Sequence, residues 1–238
     1  LFYQDTSLQS IRLPENMPLT FNHTFSGNDA LTELRVPAGT KSIQNFTNSD
    51  TEGISKSLVR LVYDARDATI SEEPIHAAQT PFTLVIGANV DVLPTNFAGI
   101  VRFNSYIEFE PNNQITIEPG AFSTATEPLA SVSGTAWVDD QGILYTYDAD
   151  LGTATVVNIP ANVEVARIPA AIEPEDGVEC TVTAIGPEAG RYAEIMTSIE
   201  FEDASLITSI DRKAFANCTS LTSVTDKKTD STETTIEG

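Results

Sequence analysis

The chain has 238 residues with 41% hydrophobic content, which is enough for a sizeable core, and only two cysteines, which excludes a small domain built on disulfides. Its formal net charge of −21, from 34 acidic and 13 basic residues, argues against binding of nucleic acid or anionic lipid, because both require a basic face. No run of about 18 apolar residues occurs, so the sequence predicts no membrane insertion.

A short apolar phrase recurs along the first half of the chain at a nearly constant step. Leu8-x-x-Ile11-x-Leu13-Pro14 returns 23 residues later as Leu31-x-x-Leu34-x-Val36-Pro37. A step of roughly 20–29 residues with an L-x-x-L-x-L core is typical of leucine-rich-repeat solenoids. We therefore predict a mainly β repeat protein, a leucine-rich-repeat solenoid with short parallel strands on one face and irregular or short helical turns on the other. The central apolar residues should stack in one inward row: Ile11, Leu34, Leu61, Leu84 and Ile107.

Each predicted strand is followed by residues that end it and close the coil. A Pro or Gly stops the strand and turns the chain: Pro14, Pro37, Gly87 and Pro111. A second apolar residue then points inward: Ile43, Val90 and Ile117. A phenylalanine follows and predicts a second buried row: Phe25, Phe46, Phe97, Phe122 and Phe215. Because one coil buries too little to offset its ordering entropy, three or more stacked coils are needed for stability.

A different pattern interrupts the repeats near the middle of the chain. Strand-like runs on both sides of the Asp/Gly-rich segment 148–152 predict a β-hairpin at about residues 136–157. Repeats then resume, with an acidic insertion at residues 173–179. We predict three parts: a first array over residues 1–133, the hairpin and a second array over 134–224, and a flexible polar tail over 225–238.

The C-terminal repeat resembles a known family. Residues 207–224, with Ala214-Phe215, Cys218 and Leu221 at the matching positions, are similar to the repeat of BspA-like leucine-rich-repeat proteins, roughly I-x-x-x-A-F-x-x-C-x-x-L-x-x-I-x-I-P. Residues 117–122 are a second match, and weaker matches extend from about Ser7 to Val224. The resemblance implies a secreted or cell-surface bacterial protein that binds host matrix proteins, other cells or glycans. It carries no catalytic motif.

Signatures of catalysis or cofactor binding are sparse. The two histidines, His23 and His76, fall in no metal-binding spacing, and no nucleotide-binding loop or nucleophile elbow is present. Asp148-x-Asp150 would offer oxygen ligands to calcium, but the segment lacks the remaining ligands of an EF-hand, and an Asp/Gly hairpin turn explains the same residues. The sequence therefore predicts a protein without a cofactor and without enzymatic activity.

The residue between the two apolar positions of each predicted strand should point outward, because side chains alternate along a strand. These residues change from Arg to Val to Glu along the first array: Arg12, Arg35, Val62, Val85 and Glu108. On an acidic chain, a basic and then apolar stripe is a candidate ligand-binding surface. Ordinary filling of a β surface, for which Val is well suited, explains the same residues.

These observations favour a non-enzymatic extracellular module, secreted or on the cell surface, that engages a host or cell-surface protein or a glycan through the strand face of the solenoid. A structural spacer within a larger bacterial surface protein is the alternative, and an acidic hydrolase is the least favoured function. The sequence leaves open the oligomeric state and the pairing of Cys180 with Cys218, which a secreted setting would permit.

Overall fold

Short β-strands make up most of the computed structural model, and its contacts divide the chain into two units, Leu1–Gly134 and Thr135–Gly238. The structure describes residues 2, 4–22, 24–25, 27–44, 46–47, 57–70, 75–76, 82–99, 105–111, 114–122 and 129–228. Within these ranges the helices are two 3₁₀ turns, Leu129–Ser131 and Ala204–Leu206. None of the described helices is long and apolar enough to cross a membrane.

The first unit contains strands of two to five residues in its described part. They are β1 (Thr20–Asn22), β2 (Glu33–Val36), β3 (Ser42–Gln44), β4 (Phe46–Thr47), β5 (Arg60–Tyr63), β6 (Thr69–Ile70), β7 (Ile75–His76), β8 (Phe82–Ile86), β9 (Val92–Leu93), β10 (Ala98–Gly99), β11 (Ser105–Phe109) and β12 (Gln114–Ile117). The strands pair with one another in parallel. β2, β5, β8 and β11 form a four-stranded sheet, β1-β3-β6 and β4-β7-β10 form two smaller sheets, and β9 pairs with β12.

The four-stranded sheet confirms the predicted inward row from its second member onward. Leu34, Leu61, Leu84 and Ile107 are direct partners across β2, β5, β8 and β11, and all four are buried. Each strand alternates a core residue with an outward one, and β-branched and aromatic residues at neighbouring positions suit the pleated backbone. Stacking of one coil on the next therefore buries the repeat leucines in a continuous core.

The predicted first strand around Ile11 is wrong within the described residues. Ile11 and Leu13 are only half-buried, and the earliest described strand, β1, begins at Thr20. Elsewhere in the sheet, the residue after each strand donates its N–H to the preceding coil, as Asp64 N does to the Val36 carbonyl at 3.0 Å. After β2 this position is Pro37, which has no N–H to donate. The ladder between β2 and the preceding segment therefore lacks this bond.

A second buried row lies behind the strands. The predicted phenylalanines Phe25, Phe97 and Phe122 are buried. Phe97 contacts Phe122 edge-on with ring centroids 6.2 Å apart and contacts Tyr63 at 4.8 Å, so aromatic rings of successive coils pack on one another. Phe215 is only half-buried, and the side chain of Phe46 lies outside the described residues.

The second unit begins with an antiparallel meander and continues into parallel coils. Its strands are β13 (Gly134–Val138), β14 (Leu144–Asp148), β15 (Thr153–Asn158), β16 (Val165–Ile168), β17 (Ala171–Glu175), β18 (Val178–Ile185), β19 (Ser198–Phe201), β20 (Ser209–Ile210) and β21 (Ser223–Asp226). β13, β14 and β15 pair in antiparallel order, and β15 then pairs in parallel with β18, which also pairs with β17 and β20. β16, β19 and β21 form a separate parallel sheet.

The start of the predicted polar tail is part of the second unit. Thr225 and Asp226 pair with β19 as the end of β21, and Lys227 Nζ lies 2.9 Å from the Glu200 carboxylate. The predicted boundary at Thr225 is therefore too early, because strand pairing and an ion pair order these polar residues. Residues 229–238 of the predicted tail lie outside the described residues.

Candidate functional site

The outward side of the four-stranded sheet in the first unit, hereafter the strand face, carries most of the predicted site residues. Strand register places its side chains in three rows. These are Glu33, Arg60, Thr83 and Tyr106; then Arg35, Val62, Val85 and Glu108; then Asp64, Gly87 and Glu110 at the strand ends. The structure thus brings four of the five predicted stripe residues into one row. Arg12, the fifth, is exposed but lies outside any described strand.

Arg35 forms the centre of a charged network at one end of the strand face. Its Nη1 donates to Glu110 Oε1 at 2.6 Å, and its Nη2 donates to Asp64 Oδ2 at 2.6 Å. Glu110 Oε2 also accepts the backbone N–H of Ala88 at 3.0 Å. Because Arg35 is on β2 and Glu110 follows β11, this contact crosses the two strands between them. The planar guanidinium suits such two-carboxylate recognition.

A second ion pair crosses the middle of the strand face. Arg60 Nη1 lies 3.0 Å from Glu108 Oε2, so the pair joins β5 to β11 over β8. Val62 and Val85 lie on the strands that the two ion pairs cross, and they are 4% and 3% exposed. Glu108 is 8% exposed. Val62, Val85 and Glu108 therefore lie on the predicted outward side of the sheet, but the Arg–Glu pairs leave little of their surface exposed.

Gly87 makes the network possible. A Cβ on Gly87 would lie 2.2 Å from Asp64 Oδ1 and 2.6 Å from Asp64 Cβ. The Asp64 carboxylate occupies that space and accepts the Asn89 N–H at 2.9 Å as well as the Arg35 guanidinium. A glycine after β8 therefore turns the chain and also admits the buried carboxylate of the preceding coil.

The network changes the ionisation of its members. The hydrogen bond from Arg35 lowers the pKa of Glu110, and partial burial opposes this effect. The same contact raises the pKa of Arg35, which is charged at any relevant pH. Glu110 and Arg35 therefore face solvent as ion-paired side chains rather than as free charges.

The outward side of the β16-β19-β21 sheet in the second unit carries a smaller set of ion pairs. Glu200, at the outward position of β19, lies 3.3 Å from Arg167 Nε on β16 and 2.9 Å from Lys227 Nζ. The hydrogen bond from Lys227 lowers the pKa of Glu200. Both units thus hold outward charges in ion pairs that join different coils.

The other residues singled out by the sequence are accounted for locally. Asp148 Oδ1 accepts the N–H groups of Asp150 and Leu151 at 3.0 Å, which is the geometry of a side-chain-stabilised turn. No group of three or more metal-ligating side chains occurs in the part of the chain that the structure describes. Cys180 and Cys218 are free thiols, and Cys218 Sγ donates to the Gly190 carbonyl of the preceding coil at 3.0 Å.

Sequence reasoning missed three residues that organise the strand face: Arg60, Asp64 and Glu110. Strand alternation is the signal that could have identified them, because residues two positions before or after a predicted outward residue share its face. Arg60 and Asp64 flank Val62 in this way, and Glu110 follows Glu108. The pairings themselves have no sequence signal, since Arg35 and Glu110 are 75 positions apart.

The in-register strands and stacked coils define a leucine-rich-repeat solenoid protein. The family model of the BspA-type leucine-rich-repeat region matches residues 1–58 and 179–236 of this chain in six copies, which confirms the resemblance to BspA-like proteins.

Solved structures of bacterial proteins are also similar to this chain. A leucine-rich repeat protein from Bacteroides capillosus is 34% identical over 37% of this chain and 63% of its own, with a TM-score of 0.32. A leucine-rich cell surface protein from Faecalibacterium prausnitzii is 16% identical over 82% of this chain and 60% of its own, with a TM-score of 0.38. The chain thus spans less than two thirds of either protein. No curated protein matches it.

Proposed function

We propose that this chain is a non-enzymatic, extracellular binding module that engages a protein or a glycan through the strand face of its first unit. The observation that carries the proposal is the preformed layer of charged groups on that face. Arg35 and Arg60 each reach across the sheet to a glutamate of the last coil and hold its position.

Pre-ordering of this kind favours binding. A ligand that meets a free Arg or Glu must immobilise a side chain with many rotamers, which costs about 0.5–1.5 kcal/mol for each such side chain. On the strand face the ion pairs have already fixed these side chains, and the buried valines beneath them stiffen the surface. Arg35 and Arg60 nevertheless keep about two fifths of their side-chain area accessible, at 44% and 37%.

Two further considerations support the proposal. Solenoid proteins bind through extended surfaces that successive repeats build up, and the strand face is such a surface. One of the similar solved proteins is described as a cell surface protein, which agrees with an extracellular location. The bound partner is a host or cell-surface protein or a glycan, because the net charge of −21 disfavours nucleic acid and anionic lipid.

The experiment is a binding panel of purified extracellular-matrix proteins and glycans, probed with the wild-type chain and two matched variants. Thr83→Lys adds a long charged side chain at the centre of the strand face. Thr69→Lys makes the same change at an exposed position of β6, which belongs to a different sheet.

We expect the wild type to bind at least one member of the panel, Thr83→Lys to bind it at least tenfold more weakly, and Thr69→Lys to bind it as the wild type does. Equal binding by both variants would place the contact elsewhere. A panel without any binding would favour the structural spacer instead.

A further inference from the structure

The outer edge of β16 is closed by a side chain instead of a strand. Within the described residues, β16 pairs on one side with β19 and on the other side with no strand. At this free edge, Gln141 Nε2 donates to the Val165 carbonyl at 2.8 Å, and the Arg167 N–H donates to Gln141 Oε1 at 2.8 Å. The primary amide of Gln141 therefore makes the two hydrogen bonds that the N–H and C=O of one residue of a neighbouring parallel strand would make.

A tight turn holds the backbone of Gln141 at this edge. The buried Asp139 accepts the N–H groups of Gln141 and Ile143 at 2.9 Å through Oδ1, and Tyr145 Oη donates to its Oδ2 at 3.0 Å. Gly142, with φ of 78°, lets the chain reverse at this point. The turn fixes the backbone of Gln141 but leaves its side chain attached only through the two edge hydrogen bonds described above.

A solvent-open cleft of about 460 Å³ lies along the same edge. It is lined by Gln141, Asn162, Val163, Glu164, Val165 and Arg167. The cleft thus joins exposed backbone hydrogen-bonding groups to walls that carry an amide, a carboxylate and a guanidinium.

We propose that the β16 edge is a second binding site, separate from the strand face, which accepts an extended peptide segment of a partner protein by strand addition. The segment displaces the Gln141 amide and pairs with the backbone of Val165 and Arg167. An unpaired strand edge is a template for such pairing, and main-chain hydrogen bonds supply the affinity while the cleft walls select side chains. Gln141 occupies the edge in the absence of a partner and keeps it from pairing indiscriminately.

The test uses random linear peptides displayed on phage, selected on the 238-residue chain, and then synthesised for titration. Strand addition has a signature that other binding modes lack, because alternate peptide N–H groups point to the protein edge. N-methylation of the peptide should therefore abolish binding at every second residue and leave it nearly unchanged at the residues between. The amide signals of Val165 and Arg167 should shift on titration.

Gln141→Ala removes the competing side chain, so it should raise peptide affinity about three- to tenfold, the equivalent of one or two hydrogen bonds. Asn162→Ala changes an amide of the cleft wall and should leave the alternating N-methylation pattern intact. The proposal is overturned if no peptide is selected, if N-methylation has no alternating effect, or if Gln141→Ala weakens binding. Dimerisation of Gln141→Ala without peptide binding would also overturn it, because the edge would then accept a second copy of this chain.

Discussion

Replacement of Gly87 by Ala tests the packing under the strand face. The new Cβ would lie 2.2 Å from Asp64 Oδ1 and 2.6 Å from both Cβ and Cγ of Asp64, whereas ordinary contacts are at 3.4 Å or more. Asp64 Cβ is fixed to the backbone of the preceding coil, so a side-chain rotation does not relieve the clash. The coils have to separate locally, or Asp64 has to leave its site.

The magnitude follows from the interactions that are lost. Overpacking of a close-packed site costs about 1–3 kcal/mol. Asp64 also loses hydrogen bonds from Asn89 and Arg35, and a buried group left without partners costs about 1–3 kcal/mol more. Ala gives the unfolded chain less conformational entropy than Gly does, which offsets about 0.4–1 kcal/mol of the destabilisation. The midpoints of these ranges give a net destabilisation of about 3 kcal/mol, and we expect a measured value of about 2–4 kcal/mol.

Hydrogen exchange of the intact chain, followed by mass spectrometry, measures this loss where it occurs. Exchange in peptides that cover residues 82–99 should accelerate about 30- to 1,000-fold in Gly87→Ala, because each 1.4 kcal/mol corresponds to a factor of about ten. Ala88→Ser, at the exposed neighbouring position, is the control and should stay within about 0.5 kcal/mol of the wild type. If Gly87→Ala exchanges within a factor of two of the wild type, the described packing of Asp64 on Gly87 is incorrect.

Three further outcomes are expected. The pKa of Glu110 is lower in the folded state than its unfolded value of about 4.3, so the Glu110 carboxylate stabilises the fold above that pH. Calorimetry should therefore show Arg35→Met melting below the wild type at neutral pH, with the difference in melting temperature shrinking as the pH falls through the folded pKa. A difference that stays constant with pH would contradict this. Burial raises the pKa of Asp139, and the hydrogen bond from the Tyr145 hydroxyl lowers it. Tyr145→Phe should therefore raise the pKa of Asp139 further, which an NMR titration of its carboxyl carbon measures. An unchanged pKa would rule out the hydrogen bond. Leu84→Ala should cost about 2–5 kcal/mol in urea unfolding, whereas a loss below about 1 kcal/mol would place Leu84 outside the core.

The sequence predicts the repeat core well because one rule applies to every coil. A strand that alternates inward and outward residues, repeated at a nearly fixed step, allows only one register in which the leucines are buried together. Leu34, Leu61, Leu84 and Ile107 accordingly lie in the predicted row, although the step from Leu34 to Leu61 is longer than the others.

The candidate site was less predictable because it depends on contacts between coils. Alternation correctly assigns Val62 and Val85 to the outward side, but it carries no information about the arginines of neighbouring coils that cover them. Which acidic side chain each arginine pairs with depends on the distances between side chains in the folded structure. After β2 the following coil offers Pro37, which has no N–H, at the position where the later coils donate one to the preceding strand. Local pattern thus predicts the scaffold, and the surface follows only from stacked geometry.

The most direct test of the account is a hydrogen-exchange footprint of the ligand that the binding panel identifies. If the strand face is the contact surface, the ligand should slow exchange in peptides that cover β5, β8 and β11, residues 60–63, 82–86 and 105–109. Exchange around β6 and β12 should be unchanged. Protection confined to β6 and β12, or to the second unit, would contradict the proposal that the ion-paired strand face of the first unit is the binding surface.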